Sequence, residues 1–139
     1  MALEMRITNA VASALANAFD DECNAGSTPL LRIYTGTIPA TADTALGAQT
    51  LLSEHEMDGT AAFGAAANGV ITAAAIGNDT VLATGTASWF LIITQNAGTV
   101  ICMGSVGTGT HDIVVNTTAF TIGSTASVSS MVVTMPKQA

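Results

Sequence analysis

The chain has 139 residues, enough for one domain with its own hydrophobic core but short for two. Ala, Thr, Gly and Ser supply 68 residues, and only 9% of residues are charged, against about 25% in an average protein. Three basic residues stand against ten acidic ones, for a net charge of −7. This composition argues against a disulfide scaffold, a coiled coil, most enzymes, and any protein that binds nucleic acid or an anionic membrane through clustered cations.

No composition shift divides the chain, so we predict a single domain over residues 1–139. Within it, residues 1–28 are expected to form an N-terminal helical arm and residues 29–136 a β-sandwich. The longest bulky apolar run, Trp89–Ile93, is far shorter than the roughly 20 residues that a membrane-spanning helix needs. The N-terminal segment has Glu4 beside Arg6 and polar residues where a leader would be apolar. We therefore interpret it as the start of a mature protein made in the cytoplasm.

One amphipathic helix is predicted near the N-terminus. Its apolar residues recur at three- and four-residue spacing and share one face, which we expect to be buried: Ile7, Val11, Leu15, Ala18 and Phe19. Thr8 or Asn9 is predicted to cap its start, and Asn24 with Gly26 its end. Asp20–Glu22 lies at the C-terminal end, where the helix dipole disfavours negative charge. Two interpretations stay open: a helix lying on its own sandwich, or an arm docked on another subunit that supplies cations.

From Pro29 onward, short β segments alternate with turn residues. The predicted strands are Leu30–Tyr34, Thr50–Ser53, Ala61–Gly64, Val70–Ile76, Val81–Ala83, Thr86–Thr94, Val100–Val106, Ile113–Val115, Phe120–Ile122 and Val128–Met135. A long loop is expected at Pro39–Gly47, and no βαβ alternation is present. The pattern favours an all-β fold: an antiparallel β-sandwich of jelly-roll type with one N-terminal helix.

Few side chains suit catalysis or metal binding. Glu54–Asp58 is the densest polar run, for which a weak divalent-cation site is the alternative to a solvated loop. His111–Asp112 lacks the nucleophile elbow of a Ser-His-Asp enzyme. Gly104–Gly109 lacks the lysine of a phosphate-binding loop and is predicted to form a hairpin. We predict no catalytic residue, no metal site and no cofactor.

The two cysteines and three aromatic residues complete the candidates. Cys23 and Cys102 are expected to be buried free thiols, with a disulfide as the open alternative. Trp89 and Phe90 are adjacent in the strongest strand, so they face opposite ways. One of them should lie in the core, which leaves the other as a candidate for a partner surface, together with Phe19 from the arm. Because Ala- and Thr-rich strands bury little apolar area, contacts between subunits are expected to supplement a thin core.

An ordered series of motifs runs along the chain. It consists of Tyr34–Gly36, Pro39–Ala40, Leu51–Leu52, Ala62–Gly64, Gly69–Thr72, Thr84–Phe90, Gly104–Gly109, Asp112–Thr118 and a terminal strand ending at Pro136. Over about residues 30–136, this series resembles the capsid cement or decoration proteins of tailed bacteriophages. The resemblance implies a jelly-roll-like protein that binds the outside of the capsid shell in many copies, as a symmetric oligomer. Leu91 stands where the resemblance leads us to expect Arg after the Trp-Phe pair.

The expected function is therefore that of a structural virion protein on the capsid exterior, and not that of an enzyme. Its expected partners are the major capsid protein and itself, as a homodimer in preference to a trimer. An acidic protein suits the exterior because the packaged head holds a dense polyanion inside. One alternative is a tail, baseplate or head–tail junction protein. The other is a hydrolase or carbohydrate-binding module that would depend on His111 and Asp112.

Overall fold

The computed structural model describes residues 5–96 and 98–136, and it places in them one α-helix and eleven β-strands. The helix α1 spans Asn9–Cys23. The strands are β1 Pro29–Thr35, β2 Thr50–Glu56, β3 Val70–Thr72, β4 Asp79–Thr80, β5 Gly85–Thr86, β6 Trp89–Thr94, β7 Val100–Gly107, β8 Ile113–Val115, β9 Ala119–Phe120, β10 Thr125–Ala126 and β11 Val128–Thr134. An all-β class with one N-terminal helix is confirmed. Residues 1–4 of the predicted arm lie outside the described residues.

Seven strands form one mixed sheet in the order β2-β1-β6-β7-β8-β11-β3, and two small sheets pair β10 with β4 and β5 with β9. Every pair is antiparallel except β7 with β8, which run parallel. The prediction of antiparallel pairing throughout is therefore wrong at this point, as is the hairpin predicted over Gly104–Gly109. In the connection between these strands, the Asp112 carboxylate accepts hydrogen bonds from the backbone N–H and the hydroxyl of Ser105. These bonds hold the returning chain next to β7 before β8 begins, in place of a tight hairpin turn.

The strands of three or more residues match the prediction better than the two-residue strands do, and β8 coincides with its predicted bounds. β1, β2, β6, β7 and β11 each overlap a strand predicted from apolar patterning. Val81–Ala83 lies outside the strands, and Ala61–Gly64 contributes only an isolated bridge between Phe63 and Ala73. A two-residue strand such as β5 or β9 is too short to show a period of two, so its pairing depends on its neighbours in space.

The four strands β2-β1-β6-β7 carry an apolar cluster on each of their two faces. Pairing sets Ile33 opposite Phe90 on one face and Tyr34 opposite Trp89 on the other. The first face belongs to the main core, whose largest members include Leu31, Ile33, Leu52, Phe63, Phe90, Ile92 and Ile113. The second face carries a smaller cluster of Tyr34, Trp89 and Leu91, in which the Tyr34 and Trp89 rings stack with centroids 4.6 Å apart. Both faces of β1 and β6 are therefore buried, whereas the flanking strands β2 and β7 are partly exposed.

Helix α1 begins and ends where the sequence predicts. The hydroxyl of Thr8 accepts a hydrogen bond from the backbone N–H of Val11, and Asn24 forms the C-terminal cap. Because the helix has 15 residues, it is too short to cross a membrane, and no other helix of the described chain is long and apolar enough to do so. Its ends thus follow the local capping rules.

The predicted packing face of α1 is wrong. The buried residues are Ala12, Ala16 and Cys23, whereas Val11 and Leu15 are each 48% exposed. Of the other residues predicted on that face, Ala18 is exposed, and Ile7 and Phe19 are partly buried. The helix approaches the turn before β3 so closely that a Cβ on Gly69 would lie 2.7 Å from the Cβ of Ala12. Only small side chains fit at this contact, so the bulkier ones face outward.

Candidate interaction surface

The predicted interface aromatics are covered by other parts of the chain. Trp89 and Phe90 lie on opposite faces of the sheet, as their adjacency predicts, but both are buried. The indole N–H of Trp89 has no hydrogen-bond acceptor among the residues described. Phe19 is partly buried and packs edge-on against Phe63, with ring centroids 5.6 Å apart. Contact of these three residues with a partner stays a prediction, and in this conformation Trp89 and Phe90 present almost no surface for it.

The solvated loop predicted for the polar run Glu54–Asp58 is wrong, because Glu54, His55 and Glu56 continue strand β2 and the His55 ring is buried. Glu54 forms an ion pair with Arg32 across β1 and β2. The Asp58 carboxylate accepts from the backbone N–H groups of Ala61 and Thr60, and these bonds lower its pKa. Within residues 5–96 and 98–136, no three His, Cys, Asp or Glu side chains converge on a point where a metal ion would bind.

His55, at the centre of that run, is a buried structural group. Its Nδ1–H donates to the carbonyl of Gly77 at 2.8 Å, and its Nε2 accepts from the hydroxyl of Ser53 at 2.9 Å. Burial lowers the pKa of His55, although the bond to Gly77 opposes that shift. The ring is therefore neutral near pH 7 and has both nitrogens satisfied.

His111 and Asp112 act on different neighbours and form no catalytic pair. The Asp112 carboxylate accepts from the backbone N–H and the hydroxyl of Ser105, each at 2.8 Å. A Cβ on Gly107 would overlap the His111 ring, which packs directly on that glycine. Both side chains thus fix the crossing from β7 to β8, and Gly104 and Gly107 allow close packing there.

Both cysteines are free thiols. Burial raises the pKa of Cys23 and of Cys102 to about 12. Because a nucleophilic or metal-binding cysteine must ionise, thiols this far from ionisation near neutral pH are suited to packing.

A set of polar side chains docks α1 onto the irregular segment 61–69. Each side chain accepts a hydrogen bond from a backbone N–H of that segment: Ser13 from Gly69, Asn17 from Ala66 and Asp20 from Phe63, at 3.0, 3.1 and 2.9 Å. Positions 13, 17 and 20 share one side of a helix. The spacing of these polar residues in the sequence indicates the docked side of the helix. An analysis of large apolar residues alone misses it, because the docked side carries small and polar residues.

Between Ala10 and Ala18, the outward side of α1 carries an apolar stripe without charged residues. We define the helix face as Ala10, Val11, Ala14, Leu15 and Ala18, all of which are exposed. Their four-residue spacing makes one stripe about 12 Å long at a rise of 1.5 Å per residue. Because the opposite side is tied down by hydrogen bonds, the helix holds this stripe in place at the surface.

The two ends of α1 differ in charge. Asp21 and Glu22 are exposed at the C-terminal end, and the last turn carries no basic residue. The first turn carries no acidic residue, and Arg6 lies just before it. Exposed acids at the negative end of the helix dipole are unfavourable in a single copy. The helix therefore has an acidic C-terminal end and an N-terminal end without acidic residues, with an apolar stripe between them.

A second exposed apolar surface lies on the loop of residues 36–49, between β1 and β2. Ile38 and Leu46 are large apolar residues exposed on this loop. Gln49 organises it, since its Oε1 accepts from the backbone N–H of Gly47 at 2.6 Å and its Nε2 donates to the carbonyl of Thr37 at 3.0 Å. The loop predicted over residues 39–47 is confirmed, and its two exposed apolar residues make it a second candidate for a contact surface.

The described residues thus offer contact surfaces, and their potentially reactive groups are engaged in packing or hydrogen bonding. Comparison of the chain with models of known protein families, with curated proteins and with solved structures finds no match in any of the three. Among the described residues, the helix face and the loop of residues 36–49 are the exposed apolar surfaces on which we base a functional proposal.

Proposed function

We propose that this chain is a cement or decoration protein, which binds the outer surface of a phage capsid and stabilises the shell. The observation that carries the proposal is the contrast between its reactive groups and its exposed surfaces. His55, His111 and Asp112 hold the fold together, and the two thiols are kept protonated by burial. The helix face and the loop of residues 36–49, in contrast, present apolar side chains to solvent. Such a chain is suited to contact and poorly suited to catalysis.

Two features of the sequence support the same proposal. The net charge of −7 suits the outside of a head, because packaged nucleic acid would repel it inside. The ordered motif series over about residues 30–136 is the basis of the resemblance to cement proteins. As part of the same hypothesis, we propose that the chain lies in the virion, has a jelly-roll topology and is not an enzyme.

The mechanism we propose is mechanical. One surface of the chain would bind the major capsid protein and another would bind a second copy of the chain. An oligomer that touches several capsid subunits forms its later contacts at high effective concentration, so modest interfaces add up to tight binding. Separating two capsid subunits then requires breaking the bridging contacts too, which raises the free energy that internal pressure must overcome.

The loop of residues 36–49 is the surface we assign to the shell. Its two exposed apolar residues, Ile38 and Leu46, belong to a different segment from the helix face, and the hydrogen bonds of Gln49 across the loop limit the freedom lost on binding. The double variant Ile38→Asp with Leu46→Asp should therefore abolish co-sedimentation with heads that lack the protein. Ile122→Asp, at an apolar residue 63% exposed elsewhere, is the matched control and should bind normally.

The direct test of function compares phage heads with and without this protein under heat and osmotic shock. We expect heads without it to lose their contents at lower stress, and added wild-type protein to restore survival. Equal survival of the two kinds of head would overturn the cementing role. Hundreds of copies per particle would agree with a shell protein, whereas a few dozen or fewer would point to the tail, baseplate or head–tail junction.

A further inference from the structure

We propose that the helix face binds the helix face of a second copy, with the two α1 helices antiparallel about a two-fold axis near Ala14 and Leu15. This inference rests on the homo-oligomer included in the proposed function, and it names the surface and the geometry that build it. A two-fold interface uses the same patch on both copies, so the patch must be complementary to itself.

The side chains of the helix face suit close packing of two helices. Val11 and Leu15 are the bulky members, and Ala10, Ala14 and Ala18 flank them. Small residues let two helix axes come within about 8–10 Å, so each bulky side chain can lie between alanines of the other helix. No charged residue lies within the stripe, so pairing leaves no buried charge uncompensated.

Residue positions define the antiparallel register. With the axis at Ala14, Ala10 of one copy faces Ala18 of the other, so the stripe matches itself from end to end. The same register brings Glu22 of one copy to the N-terminal end of the other helix, where the helix dipole is positive. The apolar match and the charge match thus come from a single register.

Electrostatics favours that register over the parallel one. Antiparallel pairing sets Asp21 and Glu22 beside the N-terminal end of the other helix, where the dipole is positive and the first turn has no acid. Parallel pairing, including that around a three-fold axis, would set these carboxylates against their own copies. The uncompensated acids at the end of α1 are therefore the observation that selects a second, inverted copy as the occupant.

The contact is expected to be weak in solution. A 15-residue helix is about 22 Å long, and one helix pair falls short of the roughly 1,200–2,000 Å² buried in standard stable interfaces. Copies held on one shell meet at a far higher effective concentration, which would favour the pair there. A method that traps transient dimers is consequently the appropriate test.

Cysteines introduced one or two at a time in α1 of the full chain distinguish the geometries under mild oxidation, with the native Cys23 and Cys102 present equally in every variant and control. Antiparallel pairing predicts that Ala14→Cys forms a covalent dimer at least about tenfold faster than the exposed control Ile122→Cys, because pairing raises the effective thiol concentration. Ala18→Cys alone should stay at the control rate, whereas the double variant Ala10→Cys with Ala18→Cys should cross-link rapidly. Rapid cross-linking of Ala18→Cys alone would show parallel pairing and overturn the proposal. So would an Ala14→Cys rate equal to that of the control.

A second set of variants tests the apolar contact itself. In the Ala14→Cys background, Leu15→Glu should reduce the cross-linking rate to that of Ile122→Cys, whereas the matched exposed substitution Leu82→Glu should leave it unchanged. Circular dichroism of each variant checks that the fold is retained, since both positions are about half exposed. Equal cross-linking rates in the two backgrounds would contradict a contact through Leu15.

The same proteins separate this inference from the proposed function. If wild-type protein binds and stabilises heads while Ala14→Cys does not cross-link above the control, the helix pairing is wrong and the cementing role stands. If Ala14→Cys cross-links as expected while wild-type protein leaves the survival of heads unchanged, the pairing stands and the cementing role is wrong.

Discussion

The four strands β2-β1-β6-β7 and the helix α1 are held in place by different means. The strands bury apolar side chains on both of their faces, in the main core and in the cluster around Trp89. The helix rests on alanines and on side-chain acceptors that bind backbone N–H groups of segment 61–69. The comparison shows that a helix docked through polar and small side chains can expose its larger apolar residues to solvent, as α1 does with Val11 and Leu15.

The comparison can be tested most strongly in the sheet. Phe90→Ala and Leu91→Ala remove neighbouring buried side chains from opposite faces of β6. We expect the free energy of unfolding to fall by about 3–5 kcal/mol for the first and about 2–5 kcal/mol for the second, because each leaves a cavity. Chemical denaturation measures both, with Leu82→Ala at an exposed position as the control. A loss below about 1 kcal/mol for Leu91→Ala would mean that the second face does not stabilise the sheet.

The helix contact is tested by adding a methyl group. Gly69→Ala should lower the free energy of unfolding by about 2–4 kcal/mol, because its Cβ would lie 2.7 Å from that of Ala12 and its φ is +75°. Gly123→Ala is the matched control, since Gly123 has a φ of +83° with open space around it. It should cost only the backbone strain, about 1–2 kcal/mol. Equal losses in the two variants would show that α1 can move away from the turn without penalty.

The smallest expected effect concerns the pH dependence of the sheet. Burial holds the pKa of His55 below its ordinary value of 6.5, so below pH 6.5 the unfolded chain binds more protons than the folded one. The contribution of neutral, buried His55 to the free energy of unfolding is therefore fully present above pH 6.5. It is lost as the pH falls below that value and the folded chain must take up a proton at this site. In His55→Gln, the free energy of unfolding should fall less steeply with decreasing pH, by at most about 1.4 kcal/mol per pH unit. Parallel curves for the two proteins between pH 7 and pH 5 would contradict this assignment.

The sequence predicts those parts of the fold that depend on neighbours along the chain. Thr8 and Asn24 set the ends of α1 through local caps, and the apolar run of β6 is long enough to show its period. The parallel pairing of β7 with β8 is not predictable in this way. The connection between these two strands is held by hydrogen bonds from Ser105 to Asp112. A side-chain hydrogen bond of this kind leaves no pattern in the spacing of apolar residues.

The candidate surface was predictable only in part, and for a related reason. Periodicity groups Val11 with Leu15 correctly on one side of the helix, but it assigns the bulky side to the core. The buried side is decided by Gly69, more than 50 residues away from Ala12 in sequence, whose close approach tolerates nothing larger than a methyl group. Trp89 likewise was a surface candidate by alternation, but the stacked ring of Tyr34 covers it.

The stacked pair of Tyr34 and Trp89 also provides an intrinsic fluorescent probe at one place in the fold. The chain contains one tryptophan and one tyrosine, and their ring centroids are 4.6 Å apart in an apolar cluster. Intrinsic fluorescence therefore reports on a single location, without the averaging that several tryptophans would impose. Any event that opens the second face of the sheet would shift the emission of this one indole to longer wavelength, so unlabelled protein suffices to follow that face during assembly.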